Sequence, residues 1–300
     1  MAPSNPRRTR PLLLLPALCG LLWLPLAASA QIASPSNAGG NSGNNSAGST
    51  ISPISTPNFG AGQTVSTVSG VTVDADGTIS TSPAAQQSVN NAVIATASSP
   101  EVSPLAPVLG ATPPAVSATD LVNPEQPPEI VLASGAGQST QTFLTLAEAI
   151  ATEFAAGTIG STFSVTNQRT GNTGTVVLAQ DAIVVTVAGS EVVFPSTAQN
   201  QVALAQFAAI GIAAGLTPQA IAAGLQIVAS GATPLQVTQL MVSLQDLASA
   251  TTLTPLSNGI NAFNAILANT PDAAITVLAN NSVFLAARAV LIAGRKSLSA

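Results

Sequence analysis

Between Ser196 and Ala300 the dipeptide Thr-Pro occurs four times, at 217–218, 233–234, 254–255 and 270–271, in a stretch that is otherwise apolar and almost uncharged. Proline at the first helical position gives up an N–H that needs no partner there, and a preceding threonine can accept from one that does. Each step therefore reads as a helix start. Together with an earlier helix over about 197–214, they predict a bundle of about five short helices across 196–300. The helix after Thr233 sets Val237, Leu240, Leu244 and Leu247 on one face against Thr238, Gln239, Gln245 and Asp246. This is an amphipathic pattern. The helix after Thr254 repeats it, with Ile260, Phe263 and Leu267 against Asn261 and Asn264.

Successive steps are 16, 21 and 16 residues apart, so a two-helix unit of 37 residues fits twice. Little further identity accompanies the spacing, and a solenoid needs at least three units. The expectation is a single bundle with recurring caps.

Lipid is the other environment that tolerates such helices. Val202 to Leu216 carries no charge, and Gly211 and Gly215 have the spacing that lets helices approach closely in a membrane. A span needs about 20 continuous apolar residues, however. These runs break at Thr217-Pro218 and at Asn280-Asn281, and Arg288 sits inside the last one. Closely packed helices in water are favoured, with membrane insertion as the alternative.

Upstream the signal changes period. Phe143, Leu146, Ala147, Ile150 and Phe154 have helical spacing, with Gly157 as a stop. Four short β-rich runs come next over 162–194, read as an antiparallel meander of three or four strands. Gly189-Ser190 fits a two-residue type II′ loop between its last two strands. Residues 141–195 thus form one helix plus a β-meander. With 196–300 they make a small α+β domain over 141–300.

Residues 31–140 read as a disordered spacer. "QIASPSNAGGNSGNNSAGST" is too poor in apolar residues to offset the entropy of ordering. The stretch 99–128 is rich in proline, which favours an extended chain. The whole segment carries six acids and no basic residue. On this reading a protease-resistant core begins between about 135 and 145. Within the spacer, alternating valines and Asp76-Gly77 predict a β-hairpin at 63–81. Asp74 and Asp76 resemble the opening of a calcium loop, but the twelfth position, which must be acidic, is Ala85. A turn is the better account.

The first thirty residues have the parts of a signal peptide. Arg7, Arg8 and Arg10 precede an apolar core over 12–26, and "ASA" at 28–30 offers a cleavage site before Gln31. Export to the periplasm, outer envelope or extracellular space is expected. Cys19 is the only cysteine and lies in the leader after Leu18, where lipidation wants a small residue.

From Gln31 onward, Arg169, Arg288, Arg295 and Lys296 face twelve acids, a net charge of −8. Such a chain has no electrostatic basis for binding nucleic acid. Histidine and tyrosine are absent, and Trp23 leaves with the leader. The usual general acid/base near neutral pH and the commonest metal ligand are therefore missing. A Ser-His-Asp triad cannot be built, and a Ser-Lys dyad depends on Lys296 at the C-terminal end.

Glu148 and Glu153 are five apart on a predicted helix and diverge. Asp181 and Glu191 fall at strand ends. Arg288, alone among apolar residues, is expected to snorkel to the surface or to meet Asp246 or Asp272. We therefore expect no catalytic, cofactor-binding or metal site. The expected role is a non-enzymatic structural or interaction protein of the bacterial envelope or extracellular space, its partner a protein or an envelope component. A carboxylate-dependent hydrolase is the remaining alternative.

Overall fold

The computed structural model describes residues 51–55, 69–73, 79–156 and 160–299. Chain contacts divide the molecule after Ser46. The leader and the tract before Ala47 lie outside the described residues, and every described element belongs to the second unit. The class is α+β, as the sequence predicts, but its elements are more numerous.

A six-stranded antiparallel sheet forms the centre, in the order β4-β3-β5-β6-β7-β8. Its members are β3 (Ile130–Ser134), β4 (Gly137–Gln141), β5 (Thr162–Asn167), β6 (Thr173–Leu178), β7 (Ala182–Val187) and β8 (Ser190–Pro195). The last four are the expected meander. The first two come from the segment read as spacer and its border. Ile130 and Leu132 alternate inward like Phe163 and Val165 beside them, and β3 pairs with both β4 and β5. A strand hydrogen-bonded on both sides cannot be a spacer.

The inner face, with Phe163, Val165, Val176, Leu178, Ile183 and Val185 buried, meets helix α4 (Gln201–Ala214). Helix α3 (Phe143–Ala156) buries Phe143, Leu146 and Ile150 between α4 and the β3–β4 hairpin. Beyond α4 lie α5 (Pro218–Ala229), α6 (Pro234–Leu247), α7 (Thr254–Asn269), α8 (Asp272–Leu278) and α9 (Ser282–Ser297). The bundle after Ser196 thus holds six helices where five were expected, because Asn281 caps a separate last helix by accepting from the Phe284 N–H.

The Thr-Pro steps do mark helix starts, though only Thr217 caps with its side chain, accepting from the Ala220 N–H at 3.2 Å. Thr254 already belongs to α7, and Pro271 stands just before α8. The same signature occurs as Ser82-Pro83, where the Ser82 hydroxyl accepts from the Ala85 N–H and opens α1 (Pro83–Ala97). This helix buries Val89 and Val93 and packs on α9. The Ser88 hydroxyl donates to the Ser297 carbonyl, and the Asn90 amide to Ala250.

The spacer reading therefore fails from Ser82 onward. Val102, Leu105, Val108, Leu109, Val116 and Leu121 are all buried, and α2 (Ala106–Leu109) sits against α6. The prolines lie in first turns (Pro100, Pro107) and in connecting backbone, where they are compatible with a packed chain.

The polar face of α6 is what this segment covers. Gln245 is 1% exposed and Thr238 fully buried. The Gln245 amide donates to the carbonyls of Thr112 and Gly215 and accepts from the Thr217 N–H. Gln239 donates to the Ala118 carbonyl. An amphipathic pattern had implied a wet face; buried amides that join three chain segments produce the same pattern.

Of the hairpin expected at 63–81, β1 (Val71–Val73) and β2 (Ile79–Thr81) pair antiparallel; the Asp76-Gly77 turn lies outside the described residues. The β7–β8 loop differs by one residue from the expectation. Val187 pairs with Ser190, so Ala188 and Gly189 form the loop, with φ of 50° and 74°. Two positive φ values define type I′, not II′.

The Gly211-x-x-x-Gly215 spacing is a helix stop. Gly215 adopts φ 84°, its N–H bonds the Ile212 carbonyl, and the Leu216 N–H bonds Gly211. This is the 6→1, 5→2 pattern of a Schellman motif. Leu216 folds back over Gly211, where a Cβ would come within 3.1 Å of it. Closer helix packing is found at Gly224, over which the Phe207 ring lies. The 37-residue spacing joins helices of unequal length, with α8 spanning seven residues where α6 spans fourteen.

Candidate functional site

A groove of about 580 Å³ opens where three elements meet: the start of β6, the Ala188-Gly189 turn and the α4–α5 corner. Its position arises from local chemistry. Asn167 ends β5 fully buried; its Oδ1 accepts from the Arg169 and Thr170 N–H groups and so builds the β5–β6 loop. Its Nδ2 donates to the Ala213 carbonyl at 3.1 Å, and Asn172 donates to the same oxygen at 3.4 Å. Two amides thus satisfy an orphan carbonyl at the end of α4. The hairpin loop and the helix corner are thereby held together as the walls of the groove.

Its lining is neutral. Ser164, Thr173, Thr175, Thr186 and Thr217 bring hydroxyls and Asn172 an amide, beside Ile212, Leu216, Pro218 and several glycines. The outer face of the sheet continues this chemistry. Ser164, Thr175 and Thr186 lie side by side across β5, β6 and β7, with Glu191 next to Thr186 on β8. Thr166 and Thr173 share a 2.9 Å hydroxyl hydrogen bond. Such a surface offers shape and uncharged hydrogen-bonding groups. Thr173 and Thr175 alternate along β6 in the sequence, but nothing local indicated which helix corner would stand over them.

A smaller cavity of about 230 Å³ holds a carboxylate that burial perturbs. Asp246, with Ser117, Ser243, Thr252, Thr254 and Asn258, lines it between the α6–α7 corner and the segment ahead of β3. Burial pushes its pKa up, and its carboxylate takes part in no ion pair or side-chain hydrogen bond among the described residues.

The structure does not bring the sequence candidates together. Glu148, Asp181 and Glu191 are exposed, and Glu153 accepts from the Ser134 hydroxyl at 2.8 Å. Arg288 donates through Nε and Nη2 to the Ser52 carbonyl, both at 3.3 Å, rather than meeting Asp246 or Asp272. Two carboxylates do converge, but on Arg169. Its Nε lies 2.8 Å from Glu129, and its Nη2 lies 3.7 Å from Asp120. The Glu129 hydrogen bond leads the causes that raise the guanidinium pKa, and the triad ties the segment before β3 to the β5–β6 loop. Among the described residues no three His, Cys, Asp or Glu side chains gather as a metal site would require.

No protein-family model matches the chain, and no curated protein and no solved structure matches it.

Proposed function

We propose that the chain is an exported, non-enzymatic interaction protein of the bacterial cell envelope or extracellular space. In this reading the domain is displayed on the low-complexity tract at 31–50. The observation that carries it is the lining of the groove at β6 and the α4–α5 corner, whose fifteen residues supply hydroxyls, one amide, aliphatic groups and backbone but no ionisable side chain. That composition suits contact with a neutral protein or polymer surface better than proton transfer. The leader features at residues 1–30 support export.

The test places a photo-crosslinking amino acid at Thr175 and examines intact cells. A discrete adduct that disappears with Thr186→Arg is the expected result. An exported protein that forms no adduct overturns this surface as the contact, and a chain that keeps residues 1–30 inside the cell overturns export.

Membrane contact is the second reading, favoured by one observation. No single described helix is long and apolar enough to cross a membrane, but α8 and α9 together reach the required length and hydropathy across a 78° bend. Val277 on α8 and Leu285 on α9 are 52% and 42% exposed. Flotation of the mature protein with liposomes supports this reading; recovery in the dense fraction removes it.

A further inference from the structure

The described segment 51–55 lies on the bundle, held through its backbone by two side chains. The Asn264 side chain on α7 makes two hydrogen bonds to one residue: its Oδ1 accepts from the Ile54 N–H at 2.9 Å, and its Nδ2 donates to the Ile54 carbonyl at 2.8 Å. An amide that engages both backbone groups of a residue imitates a neighbouring strand. Two residues back, Arg288 on α9 directs two donors at the Ser52 carbonyl. Ile54 is 4% exposed and joins the core, with Ile51 packed against it, while Ser52, Pro53 and Ser55 stay exposed. One aliphatic pocket and three backbone contacts are the ingredients of extended-peptide recognition.

We propose that the α7–α9 groove is a peptide-binding site for an extended aliphatic segment, filled here in cis by residues 51–55, and that its second occupant is the same segment of another copy of this chain. The groove reads backbone plus one aliphatic side chain, so a strap from either molecule makes identical contacts. Exchange of an identical element then turns on the connector and on concentration. The connector to β1, residues 56–70, can extend at most ~50 Å, enough to reach a neighbouring molecule. The strap can detach without unfolding the rest, since it buries only Ile54 and part of Ile51 and pairs with no strand of either described sheet. The strap groove and the neutral groove at Thr175 are built from different elements, so either can fail without the other.

The test uses the full mature chain and a fluorescein-labelled peptide of residues 48–57, read by anisotropy. Ile54→Asp loosens the cis strap, and this variant binds the peptide roughly tenfold tighter than wild type, because an occupied site lowers apparent affinity by the fraction left open. Adding Asn264→Ala removes the gain. If Ile54→Asp unfolds the domain, a protease site inserted between residues 60 and 61 serves instead. After cleavage, labelled peptide exchanges into the otherwise native protein.

For the second copy, light scattering of wild type shows dimer appearing as concentration approaches the ~millimolar effective concentration of a tethered segment, and Asn264→Ala abolishes it. A folded variant or cleaved protein that takes up no peptide overturns the site. Peptide uptake with a strictly monomeric wild type overturns the second copy as occupant.

Discussion

At the scale of single residues, two side chains sit where their own chemistry resists. Ala188 holds φ 50° in the β7–β8 turn, a left-handed conformation that costs an ordinary L-residue about 1–2 kcal/mol and asparagine less. Ala188→Asn creates the Asn-Gly pair that type I′ turns prefer. It is expected to stabilise the domain by about 1 kcal/mol, raising Tm by about 2–4 °C in thermal denaturation. An unchanged or lowered Tm removes strain at this turn. Asp246 gives the second case. Burial favours its protonated form, so its folded pKa lies above the unfolded value. The folded state then binds the proton more readily, and this contribution to stability, present at acid pH, is lost as pH rises through the folded pKa. Asp246→Asn is therefore expected to raise Tm at pH 7 and to leave it unchanged at a pH below the unfolded carboxylate value. Equal differences at both pH values would rule out the titration.

Among elements, α6 shows why pattern reading stops where it does. Replacing Gln245 by Met keeps the shape but takes the partner from the part-buried Thr217 N–H and from the Thr112 and Gly215 carbonyls, each loss costing up to about 1–3 kcal/mol where water does not replace it. We expect a loss of about 2–4 kcal/mol, measured by urea unfolding with the m-value unchanged. The four Thr-Pro starts, the Phe143 helix and the β5–β8 meander were legible because each is written in local chemistry: a cap, a period, a turn. Helix α1 was hidden because Gln86, Gln87, Asn90 and Asn91 dilute its buried Val89 and Val93, and its cap is serine rather than threonine. The proline-rich stretch was misread for a related reason. Its apolar residues have no period of their own; they are buried against several helices, and amides on α6 reach its carbonyls. The candidate groove was the least legible feature, since its walls come from segments about forty residues apart that Asn167 and Asn172 join at a single helix carbonyl.

For the whole molecule, the boundary of the folded unit is what proteolysis reports. With α1, α2 and β3 integral to the core, a nonspecific protease acting on the mature chain is expected to leave a fragment that begins at or before Ser82. Mass spectrometry reads the end directly; a core starting between 135 and 145 would mean that α1 and α2 do not hold to the rest. The packing of α1 on α9 carries a further, kinetic meaning. These helices are separated by nearly the whole folded sequence, and the Ser88–Ser297 hydrogen bond spans 209 residues. Closing so long a loop is entropically slow and needs both ends present. Until α9 is in place, α1 lacks the helix on which it chiefly packs. The join between α1 and α9 is therefore a late step of folding, a clasp that shuts only when segments about two hundred residues apart have both arrived.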